Sequence, residues 1–298
     1  MSGKRKIKKE WVSAYAFIAP LTIGTVIFGI IPIFWSFILS FTKWDGLGAK
    51  QFIGFENYTK LLSDSNFLLG IRNTMVYTFT SVPISIFLAM IIANLLNKGI
   101  KLTGFYRVVY FLPNVVMPVA VAMIWKFLLN SQTGIVNQFL GALHLPTPGW
   151  TTDPNYILVS LIIISVWSGI GYNIIILLSA LQGISHDLCE AARIDGADGN
   201  IIFWKITVPL LTPSLFFLIT TGIMNAMRVF DIVYMFLGSN TSGPLLKASR
   251  TMVYGIYTDA FKFMHMGYAS AESVILFVFI LIVTAVQFVL QKKWVFYQ

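Results

Sequence analysis

Charged residues are scarce in this sequence. Of its 298 residues only 11% are charged and 57% are hydrophobic, whereas about 25% are charged in an ordinary soluble domain. This composition excludes a soluble globular protein. Six uncharged apolar runs recur along the chain, at residues 11–42, 73–97, 108–125, 154–186, 206–227 and 273–291. All but the third reach the roughly 20 residues that a helix needs to cross a bilayer. We therefore predict an all-α, polytopic membrane protein with six transmembrane helices in a single domain, 1–298.

Groups that carry catalysis or bind metals are also scarce. The single cysteine, Cys189, cannot form an internal disulfide, and the three histidines, His144, His186 and His265, have no metal-ligand spacing. No phosphate-binding GxxxxGK[ST] motif is present. The sequence therefore predicts no metal site and no catalytic residues, and any ATP must be bound by another chain.

The basic residues are distributed unevenly between the loops. Twelve lysines and arginines lie in segments 1–11, 98–107, 193–205 and 292–293, whereas the opposite loops contain seven. The positive-inside rule then places both termini in the cytoplasm, with residues 1–11 as a basic cytoplasmic tail. This topology, together with attraction to anionic lipid headgroups, accounts for the net charge of +9 without nucleic-acid binding.

The cytoplasmic loop 185–207 is the most informative segment. Its first half can form a short amphipathic helix with acidic residues at its positive end. Gly196 and Gly199 can supply a sharp turn, and a second short helix at 201–207 would precede Pro209 in the first turn of span five. An ordinary charged connector is the alternative interpretation.

This loop carries a resemblance to a known family. Glu190-Ala191-Ala192, Gly196 and the segment ITVP at 206–209 resemble the EAA motif of binding-protein-dependent ABC transporter permeases, with Val208 where that motif usually has leucine. EAARIDGA at 190–197 is similar to the sugar-importer branch, which includes the maltose-type and multiple-sugar permeases. Further segments that resemble this branch are GFENY at 54–58, NT at 73–74, YFLPNVV at 110–116, and 242–244, 260–261 and 267–269 in the last outside loop.

The resemblance implies a type I ABC importer permease in the cytoplasmic membrane of a prokaryote. Such a chain is not an enzyme, binds no cofactor, and translocates a sugar, here an oligosaccharide, that an extracytoplasmic binding protein delivers. It implies as partners a second homologous permease and two ATP-binding cassette subunits that hold ATP and Mg. The residues expected to contact the ATPase are Glu190, Ala191, Ala192, Asp195, Gly196 and Pro209.

Three alternatives remain open. The same machinery can carry an acidic sugar or glycerol phosphate, and nothing in the residues excludes a homodimer of the permease. An ion-coupled secondary carrier would use carboxylates inside the membrane, and only Asp231 and Glu272 qualify.

Polar residues inside the spans are candidates for a solute passage. Polar groups within a bilayer are costly, although packing of small residues between helices is a competing reason for several of them. Helical spacing places members of spans four and five on common faces. The passage residues predicted from spans three, four and five are Asn114, Ser165, Ser168, Gly169, Tyr172, Thr221, Met224, Asn225 and Arg228.

Arg228 and Asp231 are close enough in span five to pair. We predict a structural ion pair near the outer end of the span. The alternative is that Arg228 faces the passage and meets hydroxyl groups or a carboxylate of the solute.

Two outside segments are predicted to contact the binding protein. The first, 52–62, has apolar residues at helical spacing, which indicates a helix along the membrane interface. The second, 238–271, is too polar to be embedded. Tyr58, Pro244 and Tyr257 are the candidate contacts, and anchoring at the interface is the alternative role for the aromatic residues.

Overall fold

A computed structural model of the chain describes residues 2–99, 101–238 and 243–296. Within these residues it contains one short hairpin, β1 (Thr42–Lys43) and β2 (Gln51–Phe52), and its other regular secondary structure is helical. Three single-turn π-helices, Val26–Ile30, Phe203–Thr207 and Thr258–Lys262, join or extend α-helices. The α-helices are α1 Ser2–Thr25, α2 Ile31–Leu39, α3 Glu56–Ser63, α4 Ser65–Asn97, α5 Thr103–Val115, α6 Pro118–Leu128, α7 Ile135–Ala142, α8 Pro154–Gln182, α9 His186–Ile194, α10 Gly199–Ile202, α11 Val208–Leu210, α12 Thr212–Met227, α13 Asp231–Leu237, α14 Pro244–Ser249, α15 Met252–Tyr257 and α16 Met266–Trp294.

The helices provide six spans, as predicted. Five helical segments in the described part of the chain are long and apolar enough to cross a membrane: Trp11–Leu39, Ser65–Asn97, Pro154–Gln182, Thr212–Leu237 and Met266–Trp294. The pair α5 and α6 passes the same test together but is bent by 98°, and it makes six when it is counted as one broken span.

The bend corrects the expectation of one continuous third span. Val116 and Met117 have extended ψ angles of 140° and 131°, and Pro118 begins α6. Proline disfavours helical geometry in the residue before it and lacks the N–H that would continue the helical hydrogen bonds. The chain therefore leaves the helix at Val116 and starts a new one at Pro118.

Several boundaries also differ from the sequence prediction. The second span begins at Ser65, where the Asp64 carboxylate accepts a hydrogen bond from the Asn66 amide at 2.8 Å. The basic tail 1–11 is helical from Ser2 onward and continuous with the first span. The outside segment 238–271 is not a loop throughout, since it contains α14, α15 and the start of α16.

The chain divides into two compact units, residues 1–63 with 256–275 and residues 64–255 with 276–298. The organisation as a single domain stays a prediction. In the first unit, Asn57 fixes the hairpin because its side-chain amide donates to the carbonyls of Ser40 and Thr42 at 2.8 and 3.0 Å.

The core of the second unit is formed mainly by α4 and α8. On α8, Ile157, Leu161 and Ile164 are fully buried at helical spacing. Gly171, on the same helix, lets the α5 backbone approach closely, because a Cβ atom there would overlap the carbonyl oxygen of Tyr110. This packing brings α4, α5, α8 and α12 around one cavity.

Candidate substrate passage and coupling loop

A polar cavity of about 240 Å³ lies in the second unit, between α4, α5, α8 and α12. Apart from Asn114 on α5, its lining residues lie near the midpoints of three long spans, Ser65–Asn97, Pro154–Gln182 and Thr212–Leu237. None of the described lining residues is charged. They are Tyr77, Ser81, Val82, Ser85, Asn114, Ser165, Gly169, Tyr172, Asn173, Leu218, Thr221, Gly222, Asn225, Ala226 and Val229.

Hydrogen bonds between α4 and α8 form one wall of this cavity. The Asn173 amide donates to the Ser85 hydroxyl at 2.9 Å, and the Tyr77 hydroxyl is hydrogen-bonded to Ser165. Gly169 lies opposite Ser85, so that a Cβ atom there would be 3.5 Å from the serine oxygen. The absence of a side chain at Gly169 therefore keeps space open beside a polar group.

The opposite wall belongs to α12. The Thr221 hydroxyl donates to the Phe217 carbonyl at 2.7 Å, which leaves the hydroxyl oxygen able to accept a further hydrogen bond. One turn later, Asn225 is exposed and its side-chain oxygen accepts from Arg228 at 3.0 Å. The polar face predicted for span five therefore borders the cavity.

Six of the nine predicted passage residues line the cavity: Asn114, Ser165, Gly169, Tyr172, Thr221 and Asn225. Ser168 and Met224 do not, and the Ser168 hydroxyl is buried with no hydrogen-bond partner in the described part of the chain. Arg228 lies beside the cavity through its hydrogen bond to Asn225. A role in transport remains a prediction for every one of these residues.

Helix α4 also contributes to the cavity, which the sequence prediction did not include. Tyr77, Ser81 and Ser85 line the cavity and recur every four residues along α4. This spacing places them on one helical face, which is the signal that identified the faces of spans four and five. Asn173 was also missed as a passage residue.

The predicted ion pair between Arg228 and Asp231 is not formed. Within the described ranges the Arg228 guanidinium donates instead to the Met224 carbonyl at 3.1 Å and to Asn225. The reason is a break in the helix, because α12 ends at Met227 and α13 begins only at Asp231. The three-residue spacing therefore does not place the two side chains on one continuous helix.

The coupling loop, residues 185–207, forms the helix–turn–helix that the sequence predicts, with small changes in its bounds. Ser185 caps α9 by accepting a hydrogen bond from the Asp187 amide at 3.3 Å. At the other end, the Gly196 amide donates to the Arg193 carbonyl and the Ala197 amide to the Ala192 carbonyl. These two bonds form a Schellman motif, and Gly196 has the positive φ, 83°, that the motif requires.

The second half of the coupling loop starts a new helix at once. The Asp198 carboxylate caps α10 by accepting from the Ile201 amide at 2.7 Å. The predicted short helix 201–207 is in fact α10 followed by a π-helical turn. Pro209 lies in the separate short helix α11 rather than in the first turn of α12.

The coupling loop presents both charged and apolar groups. Glu190, Ala191, Asp195 and Gly196 are exposed, whereas Ala192 and Pro209 are half-buried. Four large apolar side chains of the loop are also exposed: Leu188 at 46%, Ile194 at 87%, Ile201 at 43% and Trp204 at 50%. Several exposed apolar side chains on one loop, among charged residues, are typical of a surface that binds another protein.

The three candidate contacts for a binding protein lie on different elements. Tyr58, on α3, is half-buried and its hydroxyl is hydrogen-bonded to Ser40 at 2.7 Å. Pro244 is exposed at the start of α14, and Tyr257 ends α15 with its ring 5.5 Å from that of Phe261. Ser242, in the motif that precedes Pro244, lies outside the described residues.

Residues 65–295 match the family model described as "Binding-protein-dependent transport system inner membrane component". The chain belongs to this family. Membership makes it a multi-pass membrane component of a prokaryotic binding-protein-dependent transporter rather than an enzyme. The matched residues include both the cavity and the coupling loop.

Curated permeases are similar along almost the whole chain. The probable ABC transporter permease YesP of Bacillus subtilis (strain 168) is 33% identical, over 100% of this chain and 96% of its own. The sn-glycerol-3-phosphate permease UgpA of Agrobacterium fabrum is 32% identical, over 95% and 96%. The multiple sugar-binding transport system permease MsmF of Streptococcus mutans is 32% identical, over 99% of both chains.

A solved structure shows the same fold. A chain in the crystal structure of a bacterial alginate ABC transporter, in complex with an alginate pentasaccharide-bound periplasmic protein, superposes with a TM-score of 0.84. The match covers 98% of each chain at 22% identity. The all-α permease fold predicted from the sequence is thus confirmed.

Proposed function

We propose that this permease is the membrane subunit of an ATP-driven importer that translocates an oligosaccharide. The observation that carries the proposal is the polar cavity near the midpoints of three spans. Polar side chains are costly at this depth unless they are satisfied within the protein or face a solvated passage. The named relatives that carry multiple sugars and sn-glycerol-3-phosphate support a hydroxyl-rich solute.

The chemistry of the cavity suits such a solute. Its hydroxyl and amide groups can both donate and accept hydrogen bonds, as sugar hydroxyls require. Tyr77 and Tyr172 add aromatic surface beside these groups. Ligand sites commonly combine apolar or aromatic surface with a few placed polar groups.

The coupling loop is the proposed contact with an ATPase. Glu190 and Asp195 are exposed on the same loop as four exposed apolar side chains. The two acids can fix the orientation and specificity of docking, while the partner buries the apolar side chains. In this proposal two ATP-binding cassette subunits hold ATP and Mg, and this chain binds no cofactor. Their closure would move the helices through the loop.

The remaining partners follow from the same proposal. A second, homologous permease completes the passage, and both termini of this chain lie in the cytoplasm. The binding protein docks on the opposite face, against segments 52–62 and 238–271. Pro244 is the best of the three contact candidates there, since it is exposed whereas the Tyr58 hydroxyl is already hydrogen-bonded.

Solute protection of an introduced cysteine tests the passage. In a Cys189→Ser background, Asn225→Cys places a thiol at the cavity, and Phe217→Cys places one on the same helix at a side chain that is 46% exposed and does not line it. A charged thiol reagent should inhibit ATP-dependent uptake by the Asn225→Cys complex, and solute should protect it. The Phe217→Cys complex should be insensitive. If the reagent inhibits both variants equally and solute does not protect Asn225→Cys, the cavity is not part of the passage.

A further inference from the structure

Arg228 is a cation inside a membrane span, and no described residue of the chain forms an ion pair with it. It lies within the span Thr212–Leu237, between α12 and α13, and its side chain is exposed. Among the described residues, it forms no ion pair with Asp231, the nearest acid in sequence. Cations inside spans are rare and mark solute or ion pathways when they are not paired within the bundle.

The hydrogen bonds of Arg228 orient it beside the cavity. Its Nε atom donates to the Met224 carbonyl at 3.1 Å, and one Nη atom donates to the Asn225 side-chain oxygen at 3.0 Å. The neighbours Asn225 and Val229 both line the cavity. The guanidinium is therefore held at the edge of the cavity by two contacts that leave its charge uncompensated.

This arrangement presents donors without acceptors. A guanidinium has five N–H donors, of which two are used here, and it has no acceptor. Because the Asn225 oxygen is occupied by Arg228, the amide group of Asn225 offers its N–H donors to a solute. A sugar hydroxyl both donates and accepts hydrogen bonds, so its site needs acceptors as well as donors. A carboxylate or phosphate only accepts, and a cationic group with several N–H donors binds it best.

We propose that the solute carries an anionic group, a carboxylate or a phosphate, and that Arg228 with Asn225 binds this group. The inference rests on the proposed function, since it concerns a solute of the same cavity. The uncharged lining of α4 and α8 would bind the hydroxyl-bearing part of the solute. Arg228 would thus determine specificity for charge.

Equilibrium binding to the assembled complex tests the proposal. Both permeases and the ATPase pair are placed in lipid nanodiscs without ATP or binding protein. The labelled probes are digalacturonate and uncharged galactobiose, with glycerol 3-phosphate and glycerol as the second pair. We expect one anionic probe to bind at least about tenfold more tightly than its neutral counterpart, and the pair that shows this preference distinguishes a carboxylate from a phosphate.

Substitutions then assign the preference to Arg228. Arg228→Gln should weaken binding of the preferred anion about 10- to 100-fold and leave the neutral probe nearly unchanged. Arg228→Lys should retain part of the preference because it keeps the charge. Lys247→Gln, which removes an exposed cation from α14, is the matched control and should have no effect.

Two results would overturn the inference. One is that the wild-type complex binds neutral probes as tightly as anionic ones, a measurement that does not depend on the folding of any variant. The other is an anion preference that Arg228→Gln leaves unchanged. If either result is found while the complex still takes up a sugar in an ATP-dependent way, this inference fails and the proposed function stands. Absence of ATP-dependent uptake of any sugar would instead overturn the proposed function.

Discussion

Substitution of Gly196 should impair coupling without unfolding the permease. Its φ of 83° is a conformation that costs an L-residue about 1–2 kcal/mol. No atom of the described chain lies within 4 Å of a Cβ atom built there. The cost of Gly196→Ala is therefore local strain, enough to reduce the population of the turn by a factor of about 5–30, and not a clash with the spans.

Gly196→Asp adds a charged side chain to the same strain, on the surface that we propose meets the ATPase. We expect Gly196→Asp to lower ATP-driven uptake most, Gly196→Ala less, and Gly196→Asn least, because asparagine adopts positive φ more readily. Glu190→Ala, which removes one exposed charge without backbone strain, should be milder than Gly196→Asp. The assay compares uptake and copurifying ATPase at matched membrane levels.

Lys101→Ala, in the neighbouring cytoplasmic turn, is the control and should change little. If Glu190→Ala and Gly196→Asp both retain the ATPase and transport at the parental rate, the loop is an ordinary connector and the coupling assignment is refuted. Loss of the protein from the membrane would instead assign the loop a folding role, contrary to the local strain argued above.

Three further predictions concern single contacts. Gly171→Ala should lower thermal stability and membrane accumulation, because its Cβ atom would lie 2.6 Å from the Tyr110 carbonyl carbon. Gly104→Ala on α5 meets nothing within 4 Å and should be neutral. Equal thermal stability of the two variants would contradict the close packing at Gly171. Asp198→Ala should destabilise α10 by about 1 kcal/mol, seen as faster amide exchange at Ile201, and Asp198→Ser should restore protection. Unchanged exchange in Asp198→Ala would show that Asp198 does not stabilise α10 as a cap. The hydrogen bond and charge of Lys60 lower the pKa of Glu56 below its ordinary value of 4.5. The pair therefore stabilises α3 above pH 4.5, and this stabilisation is lost as pH falls through the lowered pKa. An NMR titration should show a higher Glu56 pKa in Lys60→Gln, and an unchanged pKa would refute the pairing.

Sequence patterns predicted the parts of the fold that depend on local chemistry. Apolar run length gave the spans, and the coupling loop followed from its glycines and acidic residues, because capping and positive φ are local requirements. The break at Val116 was missed although Pro118 signals it, since the apolar run continues through the proline. The length of an apolar run alone does not show where a proline bends the backbone.

The cavity was predicted in part. The faces of spans four and five were found from helical spacing, whereas the same spacing of Tyr77, Ser81 and Ser85 was missed among the other polar residues of α4. The Arg228–Asp231 pair was wrong because the spacing rule assumes a continuous helix, and α12 ends between the two residues. Helix packing, such as the close approach at Gly171, decides which polar faces lie next to each other. The periodicity of a single sequence carries no information on this packing.

Uptake by the reconstituted transporter tests the central claim most directly. Proteoliposomes containing both permeases and the ATPase pair, with ATP enclosed on the ATPase side and solute-loaded binding protein on the other, should accumulate labelled solute. Accumulation should require ATP and persist when ion gradients are abolished. Uptake that continued without ATP and required a proton or sodium gradient would contradict the account.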